Sequence, residues 1–150
     1  MNKLKTLIIA VCFLVTGCGE KSYSTLDNGK SYCLNAKVTC QQIKESHSLE
    51  IRASVEQVVP ENPFTVLLSF SDIDQVQNVT GYLEGVSMYM GKIPLLFEPD
   101  KNNEMYFSNA FVGSCSDPTM HWRIVIDVQY VDEAGQVSTI QFVDNFYSQR

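Results

Sequence analysis

From residue 32 onward the sequence predicts an all-β chain, most simply an immunoglobulin-like antiparallel β-sandwich of about eight strands. Three observations predict it. Short runs alternate apolar and polar residues, turn-forming residues separate those runs at fairly even spacing, and no run keeps the 3.6-residue period of a helix. A small barrel is the other architecture that such a pattern permits.

The elements follow in order. Tyr32 to Leu34 and Val38 to Ile43 flank Asn35-Ala36-Lys37, which reads as a tight hairpin. Leu49, Ile51, Ala53 and Val55 alternate with Glu50, Arg52, Ser54 and Glu56, the mark of a half-buried strand. Pro60-Glu61-Asn62-Pro63 is a turn, after which Phe64, Val66, Leu68 and Phe70 share one strand face. Val76 to Tyr89 reads as a strand in which Gly81 and Gly85 signal a bulge or a close backbone approach. Ile93 to Phe97 is short, and Pro94 places it at a sheet edge. Met105 to Val112 is a strand ended by Gly113 and the Asp117-Pro118 turn. Trp122, Ile124, Ile126, Val128 and Tyr130 alternate with Arg123, Asp127 and Gln129, and Ala134-Gly135 turns the chain into a last strand from Val137 to Tyr147. Trp122 is expected to be a core residue.

The start of the chain reads as an address. Lys3 and Lys5 precede an uncharged apolar run from Leu7 to Val15, which is long enough for a secretory signal and too short to span a bilayer. It ends in Leu14-Val15-Thr16-Gly17-Cys18, which resembles a bacterial lipobox. That resemblance implies removal of residues 1–17 and lipidation of Cys18. Two or three acyl chains, at roughly 0.8 kcal/mol per buried methylene, then anchor the chain stably. Gly19 follows the cysteine in place of an aspartate, which favours the outer membrane with the domain facing the periplasm. Residues 18–31 read as a flexible tether, and 32–150 as one domain.

Composition narrows the partners. Without the leader the chain keeps seventeen acidic groups against nine basic ones, the eleven Lys and Arg less Lys3 and Lys5, for a net charge of −8. Nucleic acid is therefore an unfavourable partner. Besides Cys18, three cysteines remain, Cys33, Cys40 and Cys115. They permit three single bridges. Cys33 and Cys40 flank the expected hairpin and are the natural pair, which leaves Cys115 as the odd thiol.

No nucleophile elbow, paired-histidine motif or phosphate loop occurs, and the two histidines, His47 and His121, stand apart, so enzyme activity is not expected. His47 lies in Glu45-Ser46-His47-Ser48, a polar turn in which it is expected to be solvated. One constellation does carry chemistry. Met88 and Met90 are two apart, so an extended chain points them to one side, while Cys115 and Met120 lie on the two arms of a short connection. Thioethers and a thiolate are soft ligands that suit Cu(I). Methionine is also a good core filler, so each of these residues can equally be packing.

The segments Leu83-Glu84-Gly85-Val86-Ser87-Met88-Tyr89-Met90-Gly91, Gly113-Ser114-Cys115 and Met120-His121-Trp122-Arg123 resemble a family of small uncharacterised proteobacterial proteins. Those carry a Met-x-Met-Gly segment, a later Cys and a Met-x-Trp-Arg segment, and some accompany SenC-type copper chaperones of cytochrome oxidase assembly. The Cys33 to Cys40 segment is similar to a two-cysteine segment of that family. More distantly, the layout is similar to FixH and YtkA-like immunoglobulin-fold domains. The resemblance covers about residues 32–130. It implies that Met88, Met90, Cys115 and Met120 form one metal site; His121 is outside the pattern. The expected function is an envelope lipoprotein that binds Cu(I) and holds or passes it in oxidase assembly, with a periplasmic copper chaperone or another envelope protein as partner. The alternative is a metal-free structural or protein-interaction module of the envelope, with the Pro94 edge as its docking strand.

Overall fold

The structure is a computed structural model that describes Leu34, residues 39–73 and residues 75–150. The leader, Cys18, the tether, Cys33 and the expected Asn35-Ala36-Lys37 turn lie outside the described residues. No helix among the described residues is long and apolar enough to cross a membrane.

The described chain folds into nine strands: β1 (Cys40–Lys44), β2 (His47–Ala53), β3 (Phe64–Ser71), β4 (Val76–Gly85), β5 (Lys92–Leu96), β6 (Glu98–Pro99), β7 (Tyr106–Ala110), β8 (Thr119–Val131) and β9 (Val137–Gln149). They form two antiparallel sheets, one ordered β1-β2-β3-β7-β6 and the other β5-β4-β8-β9. Leaving β1 aside, this is the A-B-E-D sheet of an immunoglobulin-like sandwich facing a C′-C-F-G sheet. The two-residue β6 is the element that left no sequence signal.

The alternating residues named above supply the core. Leu49, Ile51, Val66, Leu68, Leu83, Trp122, Ile124, Ile126 and Phe146 are buried, and the two sheets close over them. Trp122 stacks on Phe146 across β8 and β9 with ring centroids 6.5 Å apart, and its indole N–H donates to the buried Ser148 hydroxyl at 3.0 Å. The polar end of the indole is thereby satisfied inside the core. β8 and β9 pair without interruption from Thr119↔Gln149 to Val131↔Val137, the longest ladder of the fold.

Two expectations are corrected and one is narrowed. The first described hairpin turns at Glu45 and Ser46, where Lys44 pairs with His47, so His47 opens β2. Glu45 takes the left-handed conformation (φ 57°) that this two-residue connection requires. The irregularity in β4 falls between Val76 and Asn78 and not at a glycine. Gly81 and Gly85 are close backbone approaches, the other form expected of them: a Cβ would overlap the Val125 carbonyl oxygen of β8 at the first and the Met88 carbonyl oxygen at the second. Finally, β4 ends at Gly85, short of the expected Tyr89.

One side of the sandwich is closed by contacts between the sheets. Val58, which follows β2, bridges in parallel to Ser148 of β9, and the Gln149 N–H donates to the Val58 carbonyl at 3.0 Å. Further along, the Lys44 ammonium of β1 donates to the Gln141 carbonyl of β9 at 3.0 Å. On the other side β5 is an edge strand, as Pro94 predicts.

Candidate sulfur site between two loops

Two connections meet at one end of the sandwich. Residues 86–91 join β4 to β5, and residues 111–118 join β7 to β8. Gly85 lets the first turn tightly: a Cβ there would overlap the Met88 carbonyl oxygen. Backbone bonds then fasten it to the start of β8. The Val86 N–H donates to the His121 carbonyl at 2.8 Å, and the His121 N–H donates to the Ser87 hydroxyl at 3.2 Å. The second loop is fastened through Arg150, just beyond β9. Its guanidinium Nη2 lies 2.7 Å from the Cys115 carbonyl oxygen, 3.4 Å from that of Ser116 and 3.5 Å from that of Asp117.

This arrangement brings Met88 and Cys115 together. The Cys115 Sγ–H donates to the Met88 Sδ at 3.2 Å, across 27 positions of sequence. Cys115 carries a free thiol and is only partly covered. Hydrogen bonds from the Asp117 backbone N–H and the Ser116 side chain hold that thiol below its ordinary range, against a smaller opposing effect of desolvation. Met88 is 44% exposed. The strand argument that paired it with Met90 does not hold, because both lie past the end of β4. Met90 runs under the loops instead. Its Cγ is 3.3 Å from the place of a Cβ on Gly85, and its Cε is 3.2 Å from the corresponding place on Gly113.

Met120 behaves as its shared parity with Trp122 implies. It points into the core and is 2% exposed. Its sulfur still faces the loop, accepting a long hydrogen bond from the Ser87 hydroxyl at 3.6 Å. His121 points to the opposite face of β8, where its ring lies 5.0 Å from that of Tyr147. Thus the structure joins Met88 to Cys115 directly, brings Met90 against Gly113, two positions before Cys115, and keeps Met120 as a buried core residue touching Ser87. Cys40 is 5% exposed and disulfide-bonded, and its partner lies outside the described residues, as Cys33 does. No group of three His, Cys, Asp or Glu able to hold a metal occurs among the described residues, a set that leaves methionine sulfur out of account.

The far end of the sandwich carries polar groups that sequence reasoning missed. The His47 ring nitrogens sit 2.6 Å from the Asp72 carbonyl oxygen (Nδ1) and 3.0 Å from the Tyr130 hydroxyl (Nε2). A carbonyl only accepts, so Nδ1 carries the proton there, and the second contact pairs Nε2 with the tyrosine hydroxyl. His47 therefore ties one sheet to the other. A cleft of about 840 Å³ lies there, lined by Ser46, His47, Asp72, Gln75 and Tyr130 to Ala134. Asp132, on its rim, accepts hydrogen bonds from the backbone N–H of Ala134 and Gln136 and from the Ser138 hydroxyl, at 2.9–3.0 Å. Those bonds, the Gln136 N–H foremost, hold its carboxyl below the usual carboxylate range.

No family model matches the chain, and no curated protein matches it either. Among solved structures it is similar to the crystal structure of a DUF4785 family protein from Legionella pneumophila, with a TM-score of 0.53 at 17% sequence identity. That match covers 67% of this chain and 28% of the other, so the chain spans less than a third of that protein's length. At this identity the likeness is one of fold.

Proposed function

We propose that this chain is a lipid-anchored envelope protein whose sandwich binds Cu(I) between the two loops, as a site that holds or passes the ion. The observation that carries the reading is the Cys115–Met88 sulfur pair at 3.2 Å. Metal–sulfur bonds run near 2.3 Å, so sulfurs sharing one ion at trigonal or tetrahedral angles sit about 3.8–4.0 Å apart, and this pair has to open by less than about 1 Å to take one. A thiol held below its usual range beside an exposed thioether is a soft donor set, and it favours a soft monovalent ion over oxygen-seeking cations. Met90 of the first loop and Met120, whose sulfur meets Ser87 from β8, are the further candidate sulfurs. A Cys33–Cys40 bridge belongs to the same reading, since it leaves Cys115 as the reactive thiol in an oxidising compartment. The lipidated Cys18, the outer-membrane address and a copper chaperone or oxidase-assembly partner rest on the sequence alone.

The test is an anaerobic Cu(I) competition titration on the full chain in detergent, beside a variant carrying Met88→Leu and Cys115→Ser. One-to-one binding that the double change removes supports the reading. Binding of equal strength in both proteins sinks it.

A second reading, a metal-free interaction module, is favoured by the β5 edge. Leu96 is 73% exposed there, and Pro94, Leu96 and Phe107 line a groove of about 280 Å³. Under that reading Leu96→Lys abolishes capture of a partner, and the sulfur variants leave it unchanged.

A further inference from the structure

The two ends of the sandwich differ in what their loops expose. The connections 86–91 and 111–118 carry one charged residue, Asp117, and they expose Val86, Met88, Tyr89 and Phe111, the last two at 84% and 58%. The 54–63 connection lies beside them, with the Glu61 N–H on the Val112 carbonyl at 2.8 Å, and adds Glu56 and Glu61. At the other end the connections 45–46, 72–75, 100–105 and 132–136 expose no large apolar side chain among the described residues. They carry Glu45, Asp72, Asp100, Glu104, Asp132 and Glu133 against a single base, Lys101. The sandwich therefore has an acidic end and an apolar end.

The path of the chain says which end lies nearer its N-terminal segment. β1 runs from Cys40, opposite Ile51, to Lys44, opposite His47, so it heads for the acidic end and is entered from the sulfur side. Between Cys18 and the buried Leu34 lie fifteen residues, 19–33. Fully extended, they reach about 50 Å at most. The sandwich is nearly as long, since β9 has thirteen residues at roughly 3.4 Å each. Presenting the acidic end to a bilayer that holds Cys18 would use up most of that reach, whereas presenting the sulfur end needs little of it. Anionic headgroups also repel the acidic end.

We propose that the sulfur end docks on the bilayer that anchors the chain, with Val86, Tyr89 and Phe111 entering the headgroup layer. The proposal rests on the lipid anchor of the function proposed above, and its ligand is a phospholipid surface. A tyrosine suits that layer because its ring is apolar while its hydroxyl stays wet. Three side chains hold a free protein weakly, but a tether keeps them beside the surface at high effective concentration. On the Cu(I) reading, the Met88–Cys115 pair then opens toward the headgroups, and the ion is exchanged at the membrane surface.

The test takes the full chain from bacterial membranes in detergent and reconstitutes it in vesicles of phosphatidylethanolamine and phosphatidylglycerol. The vesicles include a phosphatidylcholine brominated near the headgroup end of its acyl chains. Two variants each add a tryptophan at an exposed position, Tyr89→Trp at the sulfur end and Val137→Trp beside the acidic 132–136 turn. Wild type supplies the background from Trp122, which is fully buried. Bromine quenches only at close contact, so Tyr89→Trp should lose about half or more of its added emission, and Val137→Trp almost none. Equal quenching in the two variants, or none above wild type in either, overturns the proposal and leaves these loops to a second copy or another protein. Mass spectrometry of the N-terminal peptide tests the anchor separately. An unacylated chain that keeps the contrast removes the lipid at Cys18 and retains the docking. An acylated chain without the contrast retains the anchor and removes the docking.

Discussion

The two ends of this sandwich are fastened to different purpose. At the His47 end, His47 joins the sheets through Asp72 and Tyr130, and Asp132 caps the β8–β9 turn. At the sulfur end the bonds hold two loops against β8 and β9, through the Val86 N–H on the His121 carbonyl and the Arg150 guanidinium on the carbonyls of residues 115–117. The wide cleft lies at the first end, but the polar groups there are already engaged in holding the fold. At the second end the exposed Met88 sulfur meets the Cys115 thiol, which also takes hydrogen bonds from its own loop. The lesson is that free chemistry follows from which atoms the fold has not used, and not from the size of a hollow.

Four tests sharpen or break that contrast, starting with the largest effect. Met120 belongs to the core as well as to the sulfur end, so Met120→Ala should cost about 2–5 kcal/mol in denaturant unfolding, whereas Met120→Leu should cost less than about 1.5 kcal/mol. A cost below 1 kcal/mol for the alanine change would mean that Met120 is not packed core. The pair Met88→Leu with Cys115→Ser should weaken Cu(I) binding at least about 100-fold, about 2.7 kcal/mol, while stability stays within about 0.5 kcal/mol of wild type. A large loss of stability would show that these sulfurs serve the fold, as the side chains do at the other end. His47→Ala should cost about 1–3 kcal/mol through the lost hydrogen bonds and leave Cu(I) affinity unchanged; altered affinity would couple the two ends and end the contrast.

The smallest effect concerns Asp132, whose folded-state acidity is raised by its N–H donors. A carboxyl with a depressed folded value adds stability that is complete above the unfolded value, near 3.9, and is lost as pH falls through the lower folded value. Acid titration of wild-type stability should therefore show a shallow loss below about pH 4 that Asp132→Asn lacks. Identical acid profiles for the two proteins would remove the assignment.

Strands such as β3 and β8 were legible because every second residue is large and apolar, and one sheet face is all that such a pattern can serve. The same parity placed Met120 inside with Trp122. The site was legible only in its parts. Alternation put Met88 and Met90 on one side and misled, because the strand that would have aligned them stops where Gly85 admits the Met88 carbonyl. Their meeting with Cys115 is a contact between loops that depends on how two sheets pack, and no local pattern encodes that distance. His47 was misplaced because the polar turn read at Glu45-Ser46-His47-Ser48 is only two residues long, and His47 already pairs with Lys44 in β2. Arg150 left no signal at all: an arginine after a strand reads as an exposed charge until the ladder delivers it beside residues 115–117.

The contacts that close the side of the sandwich reach beyond the single molecule. A strand thirteen residues long with one flank unpaired offers its N–H and C=O groups as a template on which another chain can grow. Here the Lys44 ammonium occupies the Gln141 carbonyl, and Val58 covers the stretch at Ser148. A second strand docking on β9 would have to displace both and bury the lysine charge. These two short contacts thus protect the chain from zipping onto its own copies when many of them are crowded together.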